Sequence, residues 1–203
     1  MPTSSDLVRA NYRRIQSEVG PDVTLVVATK YVSVADMAIL AGAGVQVVGE
    51  NRLQDLREKH DRYPDAFRWH FIGHLQSRKA RDVSLLAELV HSLSSLSAAR
   101  RVSVPALVEV NLSGEETKSG VAPGELEPFL AEAHALGVDV RGLMTMPPLT
   151  DEPERSRPYF RRLRHLAQEH GLRELSMGTT QDYRVAVDEG ATMVRVGSAL
   201  FER

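Results

Sequence analysis

A chain of 203 residues, 42% apolar and 26% charged, has room for one large domain with a substantial core and the make-up of an ordinary soluble globule. Its net charge of −2, with Lys and Arg spread along the chain, gives no footprint for nucleic acid, and no apolar run approaches the roughly 18 residues a membrane helix needs. Without cysteine there are no disulfides, thiolate metal sites or thiol nucleophile, which suits a reducing cytoplasm, and Met1 to Arg14 lack the apolar stretch of a secretory signal. Residues 1–5 are expected to be flexible, and a helix follows over about Asp6 to Val19. Val23 to Lys30 is the most apolar short run, and its β-branched residues read as a strand, 23–28, buried on both faces. Further strands are predicted near 46–49, 68–72, 88–91, 105–110, 138–143, 173–176 and 193–196. Helices alternate with them near 34–42, 52–61, 77–83, 94–101, 124–136, 152–169 and 180–188. The stretch from Asn111 to Pro123, with Gly, Ser, Thr and Lys, reads as a mobile loop. Strand–helix alternation argues for a parallel α/β sheet, and eight strands favour a single closed (β/α)8 TIM barrel over residues 1–203 with an extra N-terminal helix. A doubly wound open sheet is the rival.

In such a barrel the site lies in the loops at the C-terminal ends of the strands. Lys30 stands at the tip of the first strand. An amine there is expected to be part-buried, lowered in pKa and able to form a Schiff base with a carbonyl; a snorkelling lysine is the plainer alternative. After the seventh strand come Ser176-Met177-Gly178-Thr179-Thr180, and after the eighth Gly197-Ser198. Gly178 lets backbone approach an anion, Thr179 and Thr180 offer hydroxyls, and Gly197-Ser198 opens a last short segment where free N–H groups favour a phosphate. Read singly, Thr180 is an N-cap and Gly197 a turn residue. An amine with a phosphate cup suggests a phosphorylated carbonyl compound, either pyridoxal 5′-phosphate (PLP) or the sugar phosphate of a Schiff-base aldolase. Arg195 discriminates, because a guanidinium facing the pyridine nitrogen keeps its own proton and leaves the ring a poor electron sink. His70 and His74, four apart on or beside a strand, are too far apart for a shared metal, and no metal site is expected. Met144 and Met146 read as core or pocket wall. Asp182 and Asp188 are placed on a solvent-facing helix, and Lys118 is a rival amine in a solvated loop.

From Val23 to Phe201 the chain resembles the pyridoxal phosphate homeostasis proteins, single-domain relatives of the N-terminal barrel of alanine racemase. The resemblance is carried by Ala28-Thr29-Lys30, Val48-Gly49-Glu50-Asn51, Trp69-His70-Phe71-Ile72-Gly73-His74-Leu75-Gln76, Val110-Asn111 with Lys118-Ser119-Gly120, Gly142-Leu143-Met144, Ser176-Met177-Gly178 and Met193 through Phe201. It implies that Lys30 carries the Schiff base, Asn51 lies by the ring hydroxyl and Arg195 meets the pyridine nitrogen. It puts Ser176, Thr180, Gly197 and Ser198 on the phosphate, with Met144 and Gly178 in the same cofactor pocket. Many members have Ser where this chain has Thr29 and Thr180, Asp at Gln181 and Asn at Arg78. The expected function is PLP carriage and homeostasis without steady turnover, with no catalytic residue assigned. The alternatives are a weak racemase or a Schiff-base aldolase. The racemase uses a tyrosine from a second domain, which is not expected here. A cytoplasmic monomer or weak dimer with an open cofactor face, serving PLP-accepting apoenzymes, completes the expectation.

Overall fold

The computed structural model describes residues 5–115 and 119–202. Eight short apolar runs form the strands β1 (Thr24–Ala28), β2 (Val47–Glu50), β3 (Arg68–Phe71), β4 (Leu89–Leu93), β5 (Ala106–Glu109), β6 (Val140–Met144), β7 (Glu174–Thr179) and β8 (Met193–Val196). They pair in chain order, all parallel, and β8 returns to β1 through the register Leu25↔Val194 and Val27↔Val196, so the sheet closes into a barrel. A strand in a closed barrel is covered by helices outside and by other strands' side chains inside. Both faces are therefore buried, which explains continuous apolar runs in place of alternation.

The barrel interior holds two levels. Leu89, Leu107, Met144 and Met193 form an apolar cluster separate from the main core between strands and helices. Two residues on, along the same four strands or their exits, stand His91, Glu109, Met146 and Arg195. Side chains repeat every second residue on one face, so this second level lies about 7 Å nearer the C-terminal ends.

The outer wall is made by α1 (Ser5–Val19), α2 (Met37–Ala43), α3 (Leu53–Arg62), α4 (Ala80–Ser84), α5 (Leu96–Ala99), α6 (Leu126–Ala135), α7 (Arg157–Glu169) and α8 (Tyr183–Asp188). Helices α2 to α8 follow β1 to β7 in turn. After β8, among the described residues, comes a short 3₁₀ turn, Ser198–Leu200. The N-terminal helix is not an appendage: α1 packs against α2 and α8 and fills the eighth outer position. Val8, Ile15 and Val19, spaced for one helical face, are its buried residues. Arg9 donates to Gly42 O at 2.7 Å and Asn11 to Glu202 O at 2.8 Å, while Glu18 pairs with Arg184 at 2.9 Å. Ser5 opens this helix, and residues 1–4 lie outside the described residues.

The predicted elements differ from the structure in length. The helices expected at 77–83 and 94–101 shrink to the five residues of α4, entered by a 3₁₀ turn, and the four of α5. Strand β7 runs through Thr179 where 173–176 was expected. Its register on β8 slips between Ser176 and Thr179, and Gly178 sits in the slip with φ 91°. A Cβ on Gly178 would lie 2.5 Å from Ala186 Cβ and 3.0 Å from Tyr183 Cα. Glycine at this point lets α8 close onto the strand, so its backbone freedom serves packing.

Candidate functional site

A cavity of about 830 Å³ opens at the C-terminal ends of the strands. The structure brings six of the nine expected residues to its wall: Lys30, Asn51, Thr180, Arg195, Gly197 and Ser198. Tyr31, Met146 and Leu149 supply an apolar rim, with Tyr31 and Leu149 almost fully exposed.

Lys30 stands two residues beyond β1 on a tight turn in which Val32 N donates to Thr29 O at 2.8 Å. The turn lifts the side chain out, so Lys30 is exposed where a part-buried amine was expected. Its Nζ lies 4.7 Å from the centroid of the Tyr31 ring. Asn51 is half-buried, and its Oδ1 is shut off from solvent with no hydrogen-bond partner among the described residues. Such an acceptor is costly unless a ligand completes it. Gly73 makes the placement of Asn51 possible, because a Cβ there would fall 2.0 Å from Asn51 O.

Arg195 rises from β8 through the interior and is 6% exposed. Its Nη1 donates to Ser176 Oγ at 2.8 Å, and its Nη2 to Thr145 O at 3.0 Å and Met146 Sδ at 2.9 Å. Burial lowers the guanidinium to about 10, against the opposing pull of Glu109 and Asp182, so it stays charged at neutral pH. Burial in turn pushes the Glu109 carboxyl up, moderated by a hydrogen bond from the Ser119 hydroxyl and the charges of Arg195 and His74.

Behind Arg195 runs a chain of buried groups. Ser176 Oγ lies 2.8 Å from His91 Nδ1, and His91 Nε2 lies 2.9 Å from His70 Nδ1. Arg195 can only donate, so Ser176 accepts from it, and His91 Nδ1 is the one acceptor among the described residues for the Ser176 hydroxyl proton. This fixes His91 as the Nε2–H tautomer donating to His70 Nδ1, and leaves His70 Nε2–H as the open end, without a partner among the described residues. Both imidazoles are neutral at neutral pH: burial first, then the charge of Arg68, lowers His70 to about 3, and burial first, then repulsion from His70 where both rings are protonated and from Arg195, takes His91 well below its usual value.

On the β7–β8 side, Asp182 is buried and its Oδ1 accepts from Thr179 N at 2.7 Å and Thr179 Oγ1 at 3.1 Å. Thr180 Oγ1 accepts from Gly197 N at 3.1 Å, tying the two loops together. Ser198 opens the 3₁₀ turn and is exposed.

Three expected residues are not on the cavity wall. Met144 belongs to the apolar level of the barrel, and Met146, two residues on and on the same face, takes the wall position. Ser176 is fully buried beneath Arg195, its hydroxyl committed to Arg195 and His91. Gly178 faces α8. Lys118 lies outside the described residues. Sequence reasoning missed His91, Glu109, Lys59 and the burial of Asp182. The repeat Leu89-x-His91, Leu107-x-Glu109, Met144-x-Met146, Met193-x-Arg195 was the signal available for the first two. Among the described residues no group of three or more His, Asp or Glu is placed to hold a metal, and no helix is long and apolar enough to cross a membrane.

Residues 4–202 match the family described as alanine racemase, N-terminal domain. The chain is 42% identical to the pyridoxal phosphate homeostasis protein of Aquifex aeolicus over 78% of this chain and 77% of that one. It is 39% identical to the protein of the same name in Deinococcus radiodurans, covering 96% and 97%. The PipY protein of Synechococcus elongatus, solved with PLP bound, superposes with a TM-score of 0.87 at 31% identity, covering 96% of this chain and all of that one. The lysine/ornithine decarboxylase of Vibrio vulnificus superposes with a TM-score of 0.74 over 98% of this chain and 62% of its own, at 18% identity, a likeness of fold.

Proposed function

The chain belongs to the alanine racemase N-terminal domain family and, within it, to the pyridoxal phosphate homeostasis proteins, and on that premise we propose that it carries PLP covalently on Lys30 and serves PLP supply without steady turnover. The observation that carries this reading is one cavity holding an exposed amine, an unpartnered buried amide oxygen and a pinned guanidinium. Those groups fit PLP: the Lys30 amine for its aldehyde, Asn51 Oδ1 for its ring hydroxyl, Arg195 for its pyridine nitrogen. Thr180, Gly197 and Ser198, with hydroxyls and backbone N–H groups on the β7–β8 side, suit its phosphate. Bound PLP supplies an aldehyde that condenses with the amine, with loss of water, and a ring able to take up electron density.

Arg195 limits that second capacity. It stays charged at neutral pH and is held by four acceptors, so it offers the ring nitrogen a hydrogen bond and no proton. Turnover by racemisation needs an acid/base on each face of the ring. Among the described residues of the cavity wall the phenol is Tyr31, which follows Lys30 directly and leans over its amine. Exposure of Lys30 and Tyr31 suits an open cofactor face on a cytoplasmic monomer or weak dimer, from which PLP-accepting apoenzymes draw.

Adding PLP to the apoprotein should raise a visible absorbance band. Borohydride followed by peptide mapping should then place the added mass on the Lys30 peptide. Lys30→Ala should lose the band while remaining folded, and mass on Lys118 would overturn the assignment. Incubated with L-alanine, the loaded protein should form neither D-alanine nor keto acid at ordinary enzyme rates. Turnover abolished by Lys30→Ala would promote the racemase alternative.

A further inference from the structure

Glu50 closes β2 and is fully buried, and Lys59, on the inner face of α3 beside Leu56, is 4% exposed. They form an ion pair, with Lys59 Nζ donating to Glu50 Oε1. The rest of their hydrogen bonds lead to two places. Glu50 Oε1 also accepts from Thr29 Oγ1 at 2.6 Å, and Lys59 Nζ donates to Thr29 O at 2.8 Å. Glu50 Oε2 accepts from Asn51 N at 3.2 Å. The carbonyl of Thr29 belongs to the peptide that leads into Lys30, and the N–H is that of Asn51 itself. One buried pair thus grips the backbone under both residues that the proposed function assigns to the cofactor's aldehyde and ring hydroxyl.

Stability does not account for it. Taking two charges out of water consumes most of what their attraction returns, and an apolar pair of similar volume is often as stable or more so. The buried neighbours of the pair on the same two elements, Val48 on β2 and Leu56 on α3, are apolar. We propose that Glu50 and Lys59 are positioning residues, which hold the Thr29–Lys30 and Asn51 backbone so that the amine and the amide oxygen face one ligand. The proposal rests on the reading that Lys30 takes PLP, and adds how the chain aims it.

The test pairs Glu50→Met with Lys59→Met, removing both charges at once. The double variant should remain folded, yet capture PLP on Lys30, as borohydride-fixed mass per minute, about 10²-fold more slowly, as expected for a reacting group displaced by about an ångström. Thr29→Val keeps the ion pair and cuts only its hydroxyl link, and should slow capture several-fold. Hydrogen–deuterium exchange without cofactor should rise at residues 28–32 and 50–52 in both variants and stay unchanged elsewhere in the barrel. Unchanged exchange at those segments together with undiminished capture, in either folded variant, overturns the positioning role. If wild-type protein fixes no mass on Lys30, the PLP reading fails, while the exchange result still decides whether the pair orders the two segments.

Discussion

Leu89, Leu107, Met144 and Met193 fill the barrel interior at one level; two residues on along the same chain stand His91, Glu109, Met146 and Arg195. The lower level does what a core does, removing apolar surface from water. The upper level buries a guanidinium, a carboxyl and an imidazole, each of which loses hydration and must be repaid by hydrogen bonds. The fold is secured by the first level and by the larger core outside the strands, and the second level is tolerated because its groups find partners around it: Arg195 in Ser176 and Thr145, His91 in Ser176 and His70, Glu109 in Ser119. A barrel interior can therefore be read level by level, stability below and chemistry above.

The difference can be tested from its strongest side down. Leu107→Ala, at a fully buried position of the lower level, should cost about 2–5 kcal/mol in urea unfolding. PLP affinity measured on the folded variant should barely move; a matching loss of affinity would merge the two levels into one. Ser176→Ala should cost less, about 1–3 kcal/mol, by taking the acceptor from Arg195 Nη1 and the donor from His91 Nδ1. Unlike the leucine change, it should also shift the absorbance of bound PLP, because Arg195 loses one of its anchors. Stability lost with no spectral change would make Ser176 a core residue like Leu107.

The smallest effect is in pH. His70, at about 3, and His91 are held below the ordinary imidazole value of about 6.5, so below pH 6.5 the unfolded chain binds protons that the folded chain refuses. Their contribution is complete above pH 6.5 and should drain away as pH falls toward 3. His70→Leu should flatten the wild-type slope of stability between pH 6.5 and 5, a window chosen to lie above most carboxylates. An unchanged slope there would mean that the histidines are not buried in neutral form.

All eight strands, their order and the strand-tip positions of Lys30, Asn51 and Arg195 were legible, because β-branched runs and period-two spacing are local signals. Depth was not. Met144 and Ser176 lie buried below the cavity wall, and alternation, which gives the side of a strand, says nothing of height along the barrel. Gly178 lies off the cavity wall for another reason: it sits in the register slip of β7 and faces α8. Lys59 and Asp182 look like ordinary helix-surface charges in sequence. What buries them is a partner or a loop brought in by the fold, Glu50 from the neighbouring strand and the end of β7.

The helix that closes the outer wall, α1, belongs beside α8 and the turn after β8, the last parts of the barrel to leave the ribosome. During synthesis its apolar face, Val8, Ile15 and Val19, meets α2 early but waits for most of the chain before α8 and the turn after β8 complete its cover. The barrel is sealed by joining its early and late segments, and a nascent chain stalled before Tyr183 would present the side of α1 that α2 leaves uncovered to chaperones or to another copy of itself.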